Sequence, residues 1–154
     1  MKKLLILFLS LICFSLNVMA DEKTDVLAVF DKYIVAANTY SKDLPNYYVN
    51  SAKIYRVVNK KTGGQATVQV PFDRYVKELN SHAVLAKTVG YKNNYVNRKI
   101  TKYDATSYKI TATRIPRNDK TGLSSYFIFT KTPTGWKIKE ESMTTNQQVF
   151  LNAK

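Results

Sequence analysis

Beyond residue 20, apolar positions recur every three or four residues: Val26, Phe30, Tyr33, Ala37 and Tyr40, with Leu27 and Ile34 beside them. That period gathers the apolar side chains on one broad face of a helix. Thr24 is placed to cap its start, and Asp25 puts an acid in the first turn, where the helix dipole favours negative charge. In "SKDLPNYYVN", Asp43 as a cap and Pro45 in a first turn predict a short second helix through about Val49. Two β-rich runs follow, Ala52 to Val58 and Ala66 to Val70, and the Gly63-Gly64 pair between them predicts a hairpin. Pro71 ends the second run. Phe72, Val76, Leu79, Ala83 and Ala86 then step at helical spacing up to Gly90, which predicts a third helix closed by a glycine cap.

From Tyr91 the period changes to two. Four runs rich in Thr, Ile, Tyr, Phe and Val are separated by "DATS", "PRNDKTG" and "PTG", the pattern of an antiparallel meander. In the last turn Pro133 presets φ and Gly135 relaxes it. Strict alternation then turns Trp136 and Ile138 toward the core and Lys137 and Lys139 toward water. The predicted fold class is α+β, with a strongly curved antiparallel sheet wrapped around N-terminal helices in one domain, residues 21–154.

The opening "MKKLLILFLSLICFSLNVMADEK" changes the picture of where this domain works. Lys2 and Lys3, an apolar run from Leu4 to about Leu16 and the small-residue pattern Val18-Met19-Ala20 read as a secretory signal peptide, residues 1–20, cleaved after Ala20. The run is shorter than the ~20 residues a membrane-spanning helix needs. The expected mature protein is exported, periplasmic or secreted, with no transmembrane segment after cleavage. Cys13 is the chain's single cysteine and falls inside the leader, which excludes disulfides, a thiolate nucleophile and cysteine metal ligands from the mature domain.

The 24 Lys and Arg against 11 Asp and Glu give an excess of positive charge, mostly from scattered lysines in runs no longer than pairs such as Lys60-Lys61 and Arg98-Lys99. This implies weak, non-specific attraction to anionic surfaces and no specific nucleic-acid site.

The ending "SSYFIFTKTPTGWKIKEES", a glycine turn followed by Trp, a basic residue and Ile, resembles the final hairpin of the nuclear transport factor two-like superfamily, also called the cystatin-like cone. The order helix, short helix, hairpin, helix, four-strand meander resembles it over nearly the whole mature chain. That superfamily includes ketosteroid isomerases and polyketide cyclases. The resemblance implies a bent sheet closing around the first and third helices, with a conical cavity that takes hydrophobic small molecules, or a filled cone whose outer sheet serves dimerisation or partner binding. It also implies a mouth built from the first helix, the short helix and the first strand, which singles out Tyr33, Tyr48 and Tyr55, with Trp136, as ligand-binding candidates. The isomerases use a carboxylate near the first strand after the short helix; here no Asp or Glu stands between Asp43 and Asp73.

His82, the only histidine, lies beside the apolar stripe of the third helix and is the candidate general base. One histidine without cysteines makes no metal site, and no cofactor is expected. No Gly-x-Ser-x-Gly elbow or phosphate loop occurs. The expected function is an exported, non-enzymatic binding module for a small apolar ligand or a cell-envelope protein, compatible with a homodimer through the open sheet face. Two alternatives stand beside it: a small lyase or isomerase using His82 and a cone tyrosine for proton transfer, and a periplasmic scaffold component of a secretion-type assembly, whose domains resemble this fold.

Overall fold

A computed structural model describes residues 21–117 and 121–152; the expected leader, residues 1–20, lies outside them. Helix α1 covers residues 21–38 and is followed by a 3-10 turn, Leu44–Tyr47. Strands β1 (Tyr48–Asn59) and β2 (Gln65–Val70) form the hairpin, helix α2 spans Phe72–Thr88, and β3 (Asn93–Asp104), β4 (Ser107–Pro116), β5 (Leu123–Thr132) and β6 (Gly135–Thr145) form the meander. A second 3-10 turn, Gln148–Asn152, follows β6. The six strands make one sheet in the order β2-β1-β6-β5-β4-β3, antiparallel except where β1 and β6 run parallel. This is the mixed α+β architecture expected, with a curved, unclosed sheet. No helix among the described residues is long and apolar enough to cross a membrane.

Helix α1 lies in the concave face of the sheet because its apolar stripe finds a matching one there. Val26, Phe30, Tyr33 and Ala36 are buried, and the Phe30 ring packs against Tyr95, Phe127 and Phe129 at centroid distances of 5.5, 4.8 and 6.1 Å. Trp136 is likewise buried, edge-on to Tyr108. The local expectations hold in most places. Gly63 and Gly64 close the first hairpin at φ +92° and +73°, and Gly90 (φ +61°) ends α2, which runs unbroken through Asn80 and Ser81.

Three details differ. Thr24, the expected cap, lies inside a helix already formed at residue 21; Glu22, two residues earlier, accepts bonds from Lys102, Lys131 and Tyr108 and ties that first turn to the sheet. Asp43 makes no side-chain cap, and the short helix is a single 3-10 turn because Tyr48 already pairs with Ile138 of β6. The stripe of α2 is half-buried throughout, and its one buried residue is Tyr75.

The register of β6 decides what the concave face contains. Ile128 pairs with Glu140 and Phe129 with Ile138, so Lys139 is the extra residue of a β-bulge. Lys139 and Glu140 both face outward, where they reach Asp104 and Tyr126 respectively. The inward phase moves from Trp136 and Ile138 to Glu141, Met143 and Thr145.

Candidate functional site

Glu141 is the consequence of that bulge: a carboxylate with no exposure at the centre of the concave face, between Ile54 of β1 and Phe127 of β5. Its Oε1 accepts a charge-assisted bond from Arg56 Nη1 at 2.7 Å. Its Oε2 accepts from Tyr48 at 2.5 Å and Tyr33 at 3.0 Å. The Tyr48 oxygen also lies 3.1 Å from the Tyr75 hydroxyl. Tyr48 has one proton and gives it to the carboxylate, so Tyr75 donates to Tyr48. The hydroxyls thus form a relay, Tyr75 to Tyr48 to Glu141, with Tyr33 converging from α1. Arg56 sits under Tyr75 and under Phe150 of the C-terminal turn, its guanidinium carbon 5.4 and 5.8 Å from their ring centroids.

Burial pushes the Tyr33 and Tyr48 hydroxyls well above the ordinary tyrosine range, and the nearby Glu141 charge pushes them further. Tyr75 and Tyr95 rise for the same two reasons, offset in part by Arg56 for Tyr75 and by Arg114 and Arg56 for Tyr95. For Arg56, burial works against the charge, but the Glu141 carboxylate outweighs it and the net direction is upward. Such a network is strong where every member is satisfied. Chemically it is a closed set: both oxygens of the only carboxylate at its centre already hold two tyrosine protons and a guanidinium, and the rings of Phe30, Phe127 and Tyr95 fill the adjacent volume.

The sequence candidates fall in different places. Tyr33 and Tyr48 meet at Glu141. Tyr55 has the opposite strand phase from Arg56 and is half-buried on the outer sheet face. Trp136 packs at another end of the core, near Tyr108, whose hydroxyl bonds Glu22. His82 is exposed on α2, with Nδ1 3.0 Å from the Glu78 carbonyl and 3.4 Å from Ser81 Oγ, and it joins none of the cone tyrosines. Arg56, Tyr75 and Glu141 were not singled out. Arg56 did carry a signal, since it shares the inward phase of Ile54 and Val58; Glu141 did not, because strict alternation through the bulge turns Glu140 inward instead.

The outer face holds the larger open hollow, a trough of about 560 Å³ that spans the sheet. Val57, Thr111, Thr113, Ser124, Ser142 and Thr144 form its floor, with Gln65 at one rim and Asn97 and Lys99 at the other. A smaller groove of about 440 Å³ runs beside α1 from Asp31 to Tyr47.

This geometry has solved counterparts. The chain is similar to a nuclear transport factor two-like protein with a cystatin-like fold from Novosphingobium aromaticivorans, with TM-score 0.66 and 10% identity over 90% of this chain and 92% of that one. A nuclear transport factor two-like protein of unknown function from Pseudomonas putida matches with TM-score 0.64 and 6% identity, over 86% and 92%. A candidate scytalone dehydratase from N. aromaticivorans matches with TM-score 0.61 and 14% identity, over 82% and 85%. The protein therefore has the nuclear transport factor two-like, cystatin-like fold. No protein-family profile matches the chain, and no curated protein matches it significantly in sequence.

Proposed function

We propose that this protein is an exported, non-enzymatic binding module that works through the outer face of its sheet and engages a cell-envelope partner there. One observation carries the reading: the carboxylate at the cone's centre has both oxygens occupied by Arg56, Tyr33 and Tyr48, while the open trough lies on the opposite face. A general base must reach the proton of a bound substrate, and Glu141 is fully buried with three protein donors already on its two oxygens. Apart from Val57, the trough floor is made of small hydroxyl side chains, flanked by Tyr126 and Lys99, an open surface suited to contacts with a macromolecule rather than to enclosing a small molecule.

The test is site-specific photocrosslinking in the envelope of the source cell. Probes at Thr111 or Ser124 should give one discrete adduct, whereas a probe at Lys77 on α2 should give none. Thr113→Arg should abolish the adduct and Tyr75→Phe should leave it. An adduct lost in the Tyr75 variant but kept in the Thr113 variant would move the working site into the cone.

A second reading, a lyase-like role, is supported by the tyrosine relay ending on Glu141 and by the fold shared with the candidate dehydratase. In that reading Tyr48 and Tyr75, not His82, transfer the proton. Turnover of any dehydration substrate that is lost in Tyr48→Phe and kept in His82→Ala would favour it.

A further inference from the structure

Among the described residues, the concave interior is short of one negative charge. Two guanidiniums are buried there, Arg56 at 8% and Arg114 at 5% exposure, against the single carboxylate of Glu141. Arg56 takes that carboxylate. Arg114, inward-facing on β4 opposite Leu123 and Tyr95, has no ion-pair partner among the described residues. It is held by neutral acceptors only: Asn93 Oδ1 at 2.8 Å, the Tyr91 hydroxyl at 3.3 Å and the Thr144 carbonyl at 2.6 Å. A buried charge without a counter-charge costs several kcal/mol, so a fold that keeps one ordinarily supplies its partner.

The hydrogen count says what kind of partner is missing. Nη1 uses its two protons on Asn93 and Tyr91, and Nη2 uses one on Thr144. The Nε proton is buried with nothing to bond. One Nη2 proton and the Nε proton are therefore left, and a carboxylate is the group that can take two guanidinium protons at once through parallel bonds. The acceptors already present are rigid. Asn93 is clamped to the end of α1 by reciprocal bonds with Asn38, 2.9 and 2.8 Å, and Tyr91 belongs to the short loop between α2 and β3. Arg117, exposed and bonded to the Gly90 carbonyl, adds positive potential beside that loop.

We propose that Arg114 is an anion site that binds the carboxylate of a small ligand, entering past the Tyr91 loop. The inference stands on Arg114 alone and is independent of the outer trough. The experiment is thermal melting of the mature protein at constant ionic strength in formate, octanoate or chloride. Both carboxylates should raise Tm saturably, by several degrees once the anion exceeds its Kd about tenfold, and chloride should not. Formate acting as well as octanoate identifies a free small anion as sufficient; octanoate acting at far lower concentration identifies a carboxylate heading an apolar chain. Arg114→Gln should remove the response. Because that variant takes a donor from Asn93 and from the Thr144 carbonyl, Asn93→Asp is the companion: it supplies a charge 2.8 Å from Nη1 and should raise Tm in the absence of anions while abolishing the carboxylate response. Equal shifts in chloride and carboxylate, or a full carboxylate response in either variant, would overturn the proposal.

Discussion

Glu141 Oε1 lies 2.7 Å from Arg56 Nη1, with the carboxylate fully buried and the guanidinium nearly so. The pair joins β1 and β6, the only parallel neighbours in the sheet, and two tyrosines from outside β6 complete it. Removing either charge alone strands the other in the core. Arg56→Met and Glu141→Leu should each cost about 3–5 kcal/mol, whereas the double variant with both changes should recover most of the loss, because no member of the pair is left charged. Urea denaturation of the four proteins gives the coupling directly. Additive single costs would show that the pair is not coupled.

At high pH the buried tyrosines set the limit. Tyr33, Tyr48, Tyr75 and Tyr95 all have folded-state pKa values above the ordinary 10.0. A raised folded value means their contribution is fully present below pH 10 and is lost as the pH rises through the folded values. Alkaline unfolding should therefore begin above about pH 10 and coincide with the appearance of these phenolates in an ultraviolet titration. Tyr126, on the outer face beside Glu140 and pushed up to about 12, should ionise without waiting for the core. Ionisation of every tyrosine near its ordinary value with the fold intact would contradict the packed network.

The acid side is governed by a smaller effect. Hydrogen bonding from Lys131, reinforced by Lys102 and Tyr108 against a cost of burial, lowers the Glu22 pKa below its ordinary 4.5. A depressed folded value means the contribution is present above pH 4.5 and is lost as the pH falls through the folded value. Glu22 is partly solvated, so Glu22→Gln should cost about 0.2–1 kcal/mol at neutral pH. The difference from wild type should vanish in melts below that window.

His82→Ala should be neutral, within about 0.5 kcal/mol in stability, since the ring is exposed and bonds only within its own helix. A loss of binding or of any activity in this variant would restore the histidine to the functional site.

Element identity was legible because it depends on local periodicity. The helical spacing of Val26, Phe30 and Tyr33 and the two-residue alternation of β4 and β5 both report which side of an element meets the core, and they matched the observed burial except at Ile128, which is buried in the outward phase of β5. The candidate site was legible only in part. Tyr33 and Tyr48 were nominated from the resemblance, and they do share a partner; nothing local said that the partner is Glu141, 108 and 93 residues away.

The sequence by itself determined the elements, their order and the apolar faces that must come together, since burying apolar area depends on spacing along the chain. Tertiary structure alone decided which polar groups were drawn inside. One bulged residue, Lys139, reverses the phase of β6 and puts Glu141 in the core in place of Glu140, and the pairing of β1 beside β6 then brings Arg56 to meet it. A carboxylate in that position is stable only because its donors arrive from α1 and β1, with Tyr75 of α2 behind Tyr48, and their convergence depends on the curvature of the sheet rather than on any stretch of the chain.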